Sequence, residues 1–324
     1  MKRGLVIGKF MPPHEGHMGL IRYAASRCDE LIVSLSYRPG DPIPGELRHN
    51  WLIECSRQIG NVRTEISLDD FDDETVPIKQ RLPVWVSFIR RRFPNIDLIF
   101  SSETYGPLLA REMGVAHIDY DVKRVKYPVS GTFIRQHPFH YWDYIVHPAR
   151  SYFVKKICFY GPESTGKTSM ASKLAFQYQT EWVPEVAREM ITSNDFTLSD
   201  ILDIGKAQTE RIKTMQNTAN KILFCDTDLI TTQIYSEHYL GSIPNELIEW
   251  ERGILFDQYF LFNPDVPWVA DGLRDLGTKE MRHRMYDVFR SALQARGIQF
   301  IEVRGNYAKR EEIVTSFVDS LLAN

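Results

Sequence analysis

No stretch of the chain is apolar for long enough to cross a bilayer, which excludes a membrane-embedded helix. The first apolar run, Leu5-Val6-Ile7, is too short for the core of a signal peptide. Gly8-Lys9-Phe10 also interrupts it, so no secretory leader is expected. Cysteine is scarce: Cys28, Cys55, Cys158 and Cys225 lie far apart, with no C-x-x-C pair. That spacing excludes a disulfide framework and a structural zinc, and points to a reducing, cytoplasmic compartment. Three of these thiols stand in apolar or helical contexts and read as small buried hydrophobes. A charge excess is lacking too, with a formal net charge of −3 and a sequence pI of about 6.3. A dedicated nucleic-acid protein shows a basic domain or stripe, so no nucleic-acid partner is expected. Internal repeats and low-complexity segments are absent. Composition does not fix the oligomeric state, and a homo-oligomer stays open.

What is present is two α/β halves. A chain of 324 residues exceeds most single cores and fits two domains, 1–148 and 149–324. The first alternates strand-like runs over 2–8, 30–36, 62–68 and 96–101 with helical stretches over 17–27, 45–58 and 83–93. A boundary falls at His147-Pro148-Ala149-Arg150. The second half carries strands over 153–160, 221–225, 258–262 and 299–303, and helices over 167–178, 198–218, 279–295 and 310–322. Such alternation implies a parallel sheet covered on both faces in each half. The turn-rich loop of Asp41, Pro42 and Pro44 is expected to be mobile. The acidic stretch over 69–74 reads as a solvated loop, because its spacing matches no metal-ligand loop.

Chemistry first shows at the end of the first strand. Gly8-Lys9-Phe10-Met11-Pro12-Pro13-His14-Glu15-Gly16-His17 has the form of a nucleotidyltransferase H-x-G-H loop. Pro12 and Pro13 stiffen the turn. His14 and His17 fall together at a helix start, where unpaired N–H groups favour phosphate. Gly16 is expected to let a nucleotide approach the backbone. Gly8, Lys9 and Phe10 are placed on the nucleotide. Attack on an α-phosphate needs positioning and charge stabilisation rather than a protein nucleophile. Val129-Ser130-Gly131-Thr132-Phe133-Ile134-Arg135 resembles the I-S-S-T-x-I-R motif of nucleotide adenylyltransferases. It implies that Ser130, Thr132 and Arg135 bind phosphates. Ser102 stands in Phe100-Ser101-Ser102-Glu103-x-Tyr105, which resembles that family's adenosine-side loop. Arg48 is a candidate for a substrate phosphate and Trp85 for stacking on a pyridine ring.

The second half carries Gly161-Pro162-Glu163-Ser164-Thr165-Gly166-Lys167-Thr168, a Walker A phosphate loop between a strand and a helix. Its backbone N–H groups wrap phosphates, with Glu163, Ser164, Thr165 and Ser169 among the nucleotide contacts. Lys167 reaches the β/γ oxygens and Thr168 binds Mg²⁺. Partners of that loop are expected at later strand ends. There Asp226 reads as the Mg²⁺-side acid, and Asp228 as a carboxylate that can face the acceptor. Glu185 and Arg188 resemble the Glu-x-x-Arg element of nucleoside kinases, base and substrate contact. Asp271-Gly272-Leu273-Arg274 reads as a lid whose Arg274 stabilises the transferring phosphoryl group.

A transferase loop and a kinase loop in one chain fit NAD salvage, coenzyme A synthesis or sulfate activation. The finer strings choose. The chain resembles the bifunctional nicotinamide-nucleotide adenylyltransferase/ribosylnicotinamide kinase family over essentially its full length. The resemblance rests on the H-x-G-H loop, Val129–Arg135, Phe139-x-Tyr141-Trp142, the Walker loop, Asp226-Thr227-Asp228-x-Ile230-Thr231-Thr232 and Asp271-Gly272-Leu273-Arg274-x-Leu276-Gly277. It implies two α/β parallel-sheet domains, a Rossmann-like H-x-G-H nucleotidyltransferase and a P-loop kinase. It also implies nicotinamide riboside, nicotinamide mononucleotide (NMN), ATP and NAD as ligands, with Mg²⁺. Some relatives carry a further helix-turn-helix repressor domain, which is not expected here. Gly131 departs from the family motif by one hydroxyl. That departure opens a different reading, in which the N-terminal half is a nucleotide or NAD sensor that regulates the kinase.

Overall fold

The computed structural model describes residues 1–70, 75–191, 195–268 and 278–323. They form two compact units, Met1–Arg150 and Ser151–Asn324. In the first unit, β1 (Arg3–Gly8), β2 (Glu30–Tyr37), β3 (Val62–Leu68), β4 (Leu98–Ser101) and β5 (Ala116–Asp119) make one sheet, in the order β3-β2-β1-β4-β5. Every pairing is parallel. The central strands carry unbroken apolar runs, Leu5-Val6 and Leu31-Ile32-Val33, all buried. Parallel strands covered on both faces require such runs. The connecting helices are α1 (Glu15–Ala25), α2 (Gly45–Ser56), α3 (Ile78–Arg92), α4 (Gly106–Met113) and α5 (Gly131–Gln136). α3 and α4 close one face, with Leu82, Val86, Ile89, Leu109 and Met113 packed on Leu5, Ile32 and Ile99. The order of connections reverses at β1, so the crevice beyond its C-terminal end stays open for a ligand.

After α6 (His147–Phe153) the second unit repeats the plan. It contains β6 (Lys155–Tyr160), α7 (Lys167–Gln177), β7 (Trp182–Val183), α8 (Ala187–Met190), α9 (Leu198–Gln216) and β8 (Ile222–Asp226). These are followed by α10 (Leu229–Leu240), α11 (Asn245–Arg252), β9 (Gln258–Phe262), α12 (Lys279–Ala295), β10 (Phe300–Val303) and α13 (Tyr307–Ala323). The parallel sheet runs β10-β9-β6-β8-β7 and reverses at β6. One face packs Phe159, Phe224, Phe260 and Phe262 against α7 and α13. The other packs Tyr160, Tyr259 and Cys158 against Ile230, Phe289 and Leu293. All four thiols are free, Cys158 and Cys225 buried and Cys28 and Cys55 half-buried. No helix among the described residues is long and apolar enough to cross a membrane.

Elements differ from the sequence reading where tertiary packing overrides local signals. α3 starts at Ile78 rather than 83, because Ile78 and Leu82 add a turn of core contacts ahead of Pro83. α10 lies over residues to which the sequence assigns no element. Its Leu-Ile-Thr-Thr-Gln-Ile-Tyr run favours strand by propensity. Asp228 nevertheless caps it by accepting the Thr231 N–H. The 41–45 loop, expected to be mobile, is pinned. The Arg48 guanidinium donates to the Ile43 carbonyl (2.9 Å) and pairs with Asp41 (2.5 Å).

The largest polar side chain sealed in the second unit is Arg310. It donates to the carbonyls of Gly305 (2.7 Å), Thr165 (2.5 Å) and Asn263 (2.7 Å), and pairs with Asp265. Arg310→Ala leaves three carbonyls without a donor. It should destabilise this unit by about 3 kcal/mol, read as a lowered urea midpoint.

Candidate functional site

A cleft of about 720 Å³ opens at the C-terminal end of β1. Gly8, Lys9, Phe10, His14 and His17 line it from the first loop. Trp85, Ser102, Ser130, Thr132 and Arg135 line it from later loops and helices. The two histidines stack, with ring centroids 3.6 Å apart and planes at 25°. His14 donates its backbone N–H to His17 Nδ1 (3.3 Å), which fixes the second ring over the start of α1. Phe10 packs edge-on against His17 at 4.9 Å. The sequence reading gives the space beside Gly16 to a nucleotide. Gly16 lines the cleft, and a Cβ there would lie 3.1 Å from the His14 ring and 3.3 Å from Tyr127, so a larger residue would press on the histidine pair. Burial holds His14 down to about 3, with help from the Arg124 guanidinium. His17 is held well below its ordinary value by burial, by His14 and by Arg124. Both rings are therefore neutral at pH 7. His14 Nδ1 is buried and has no hydrogen-bond partner.

Arg48 requires a correction. It is fully buried, and its guanidinium binds the carbonyls of Ile43, Lys9 and Ser36 as well as Asp41. It braces the loop after β1 instead of reaching into the cleft. Ser130 caps α5 by accepting the Phe133 N–H (3.2 Å), and Arg135 donates to Thr132 Oγ1 (3.3 Å) and to the Met11 carbonyl. Gly131 has a local cause: a Cβ there would sit 2.4 Å from the Met11 carbonyl oxygen. The missing hydroxyl is thus the condition for two loops to touch. Trp85 meets Tyr105 edge-on at 5.4 Å, and Tyr105 donates to the Ile7 carbonyl (3.3 Å). Tyr105, the last residue of the adenosine-side string, lines the cleft, and so does Arg124, which escaped the sequence reading. Arg124 had a weak signal in the basic run Lys123-Arg124-Val125-Lys126.

In the second unit, β6 delivers the phosphate loop at the sheet's reversal point. Gly161 (φ 131°) and Gly166 (φ 89°) occupy the left-handed region. A Cβ on Gly161 would also approach the Phe262 carbonyl to 2.9 Å. Thr165 is sealed, with its hydroxyl donated to the Pro162 carbonyl (2.9 Å), so it offers a ligand only backbone. Lys167 Nζ donates to the carbonyls of Gly161 (2.8 Å) and Pro162 (2.9 Å). Burial lowers its basicity, while Asp226 and Glu185 pull it back up. Thr168 Oγ1 donates to Asp226 Oδ2, and the other oxygen of this sealed carboxylate, Oδ1, has no hydrogen-bond partner. Burial and the negative charge of Glu185 raise Asp226. Glu163 and Ser164 are half-buried on the loop, and Ser169 is exposed on the first turn of α7. Glu185 pairs with Arg188 at 2.8 Å. Tyr235, which the sequence reading missed, brings its hydroxyl to the Glu163 backbone N–H and stacks with Tyr239 at 6.2 Å.

Asp228 is the second correction. Its Oδ1 accepts Thr231 N–H (2.9 Å) and Oγ1–H (3.0 Å), and its Oδ2 accepts the Tyr259 hydroxyl (2.9 Å). Burial pushes this carboxyl up to about 6. It is a helix cap turned into the core, not an acid facing an acceptor. Arg274 and the rest of its loop lie outside the described residues. No group of three or more metal-ligating side chains stands together among the described residues.

Known proteins share this organisation. A family model described as an AAA domain matches residues 156–310. The chain is 31% identical over 331 residues to the trifunctional NAD biosynthesis/regulator protein NadR of Escherichia coli K12, covering 93% of this chain and 78% of that protein. It belongs to the NadR family. The Salmonella typhimurium NadR is 30% identical over the same shares, 93% and 78%. A nicotinamide-nucleotide adenylyltransferase of Aeropyrum pernix is 28% identical over 48% of this chain and 92% of its own. A crystal structure of a NadR protein in complex with NAD and AMP-PNP superposes with a TM-score of 0.80 at 22% identity, covering 100% of this chain and 96% of that one. The two-unit α/β plan is thus the NadR plan.

Two outcomes follow for the cleft. Gly131→Ser restores the motif's hydroxyl but drives a side chain into the Met11 carbonyl. It should lower the stability of the first unit by about 1–3 kcal/mol, measured by urea unfolding. The buried histidines stay neutral in the folded chain, whereas an unfolded chain takes up protons below about pH 6.5. Stability is therefore lost as pH falls from there towards about 3. In NMR spectra the imidazole signals of His14 and His17 should not move between pH 8 and 5.

Proposed function

We propose that the chain is an NAD salvage enzyme whose two units catalyse consecutive reactions. The second unit phosphorylates nicotinamide riboside to NMN with ATP. The first joins NMN to the adenylyl group of a second ATP, giving NAD and pyrophosphate. The observation that carries this reading is the presence of two separate phosphate-handling sites in one NadR-family chain. One is built on stacked neutral histidines, the other on a Walker loop joined to a sealed aspartate.

In the kinase unit, the loop's backbone N–H groups and Lys167 hold the β- and γ-phosphates. Thr168 Oγ1 and the Asp226 carboxylate, with its unpartnered buried Oδ1, fit a Mg²⁺ ion. When bound, that ion offsets charge on the phosphates. With Asp228 engaged as a cap, Glu185 is the carboxylate that orients the riboside 5′-hydroxyl and takes its proton. Arg188 holds Glu185 and can meet the substrate.

In the transferase unit, the NMN phosphate oxygen attacks the α-phosphorus of ATP and pyrophosphate departs. Neutral His14 and His17 donate hydrogen bonds to phosphoryl oxygens, and Ser130, Thr132 and Arg135 take the remaining phosphate contacts. Trp85 and Tyr105 offer the pyridine ring an aromatic wall. The sensor reading loses its motive, because Gly131 answers to the Met11 backbone.

A time course with nicotinamide riboside, ATP and Mg²⁺ should show NMN before NAD. Lys167→Ala should abolish riboside phosphorylation and leave NAD formation from NMN. His17→Ala should do the reverse. Glu185→Gln should lower riboside turnover by about 10²–10⁴. A folded Lys167→Ala or His17→Ala variant that loses both activities overturns the two-site assignment.

A further inference from the structure

Arg48 does not reach the cleft, but Arg124 lines it in addition to Lys9 and Arg135. It lines the same cleft as His14, His17 and Ser130. Its position is built rather than incidental. The Asp121 carboxylate gathers the backbone N–H groups of Val125 (2.8 Å), Lys126 (3.1 Å) and Tyr127 (3.0 Å). The Arg124 N–H donates to the Asp121 carbonyl (2.7 Å). This turn holds two non-glycine residues in the left-handed region, Asp121 at φ 44° and Arg124 at φ 52°. Side chains rarely adopt that backbone, and it persists only where the surroundings over-determine it. The guanidinium is then aimed by two bonds, to the Val129 carbonyl (2.8 Å) and to Glu103 Oε1 (2.9 Å). Three of its five N–H donors are left for a ligand. Both buried imidazoles feel its charge.

We infer that Arg124 is a catalytic residue of adenylyl transfer, binding the departing pyrophosphate and taking up the charge that develops on it. The assignment rests on the adenylyl-transfer reading of this cleft. In the step, a bond forms from the NMN phosphate oxygen to the α-phosphorus. The bond from that phosphorus to the α–β bridging oxygen breaks, and its electron pair leaves on pyrophosphate. No proton need move, but negative charge accumulates on the leaving group. Neutral imidazoles can donate hydrogen bonds to it and cannot neutralise it. A guanidinium stays charged at every working pH and presents a planar fork suited to phosphate oxygens. Glu103 holds that fork at the cleft while remaining half-exposed, so its pairing is weak enough to give way to a polyphosphate.

The test uses the full chain and follows NAD formation from NMN and ATP·Mg²⁺, with riboside phosphorylation by the same preparation as an internal control. Arg124→Ala should lower kcat by about 10²–10³, with the KM for NMN little changed. In the reverse direction, from NAD and pyrophosphate, it should raise the KM for pyrophosphate at least about tenfold and spare that for NAD. Arg124→Lys, which keeps the charge and loses the fork, should retain more activity than Arg124→Gln. Equal loss in the Lys and Gln variants makes Arg124 a loop anchor and overturns the assignment. So does an Arg124→Ala variant with wild-type kcat and pyrophosphate KM. A wild-type chain that forms no NAD from NMN overturns the adenylyl-transfer reading itself, and this assignment with it.

Discussion

A loop that turns its N–H groups towards a phosphate must turn its carbonyls into the protein, where each needs a donor. Both units meet this constraint with a buried arginine. Arg48 gathers carbonyls from Lys9, Ser36 and Ile43, and Arg310 gathers those of Thr165, Asn263 and Gly305. Arg282 adds a bond to the Ser164 carbonyl (3.3 Å). A guanidinium suits the task because five N–H donors in one plane reach several carbonyls at once. A carboxylate stands beside each, Asp41 and Asp265, so the sealed charge is paired. The geometry of each loop therefore depends on a side chain sealed within the protein.

The two units treat phosphate charge differently. The kinase loop keeps a cation, Lys167, among acids that partly offset the loss of basicity that burial causes, and sets Thr168 against Asp226. The transferase cleft keeps its central imidazoles neutral by burying and stacking them. The first arrangement suits transfer of a terminal phosphoryl group, where charge is spread over several equatorial oxygens. The second suits attack at an inner phosphorus, where hydrogen-bond direction matters and charge collects on the leaving group.

Much of this was legible in the chain. Parallel strands announce themselves as short apolar runs, and both phosphate loops follow such runs directly, so strand, loop and helix could be placed from local chemistry. The rest was hidden for identifiable reasons. α10 is helical against its composition, although Asp228 standing three residues before Thr231 was a readable cap. Arg48 looks like a ligand residue, because no sequence pattern reports which carbonyls lack donors. Asp228 was misread for the same reason, since its place beside Asp226 concealed that Tyr259 and Thr231 already hold it. Arg124 lay within a run of exposed basic residues, and only its unusual backbone and the Asp121 turn separate it from its neighbours.

The close approach of Gly131 to Met11 joins two segments that are 120 residues apart in sequence. The absent side chain at one and the backbone path at the other form a single heritable trait. A serine at 131 becomes acceptable only if the turn through Met11 also shifts, and that shift would carry the carbonyl that Arg135 holds. A chimaera that takes either loop from a relative with the serine form therefore inherits half of a matched pair. Loop exchange within this family has to move both segments together.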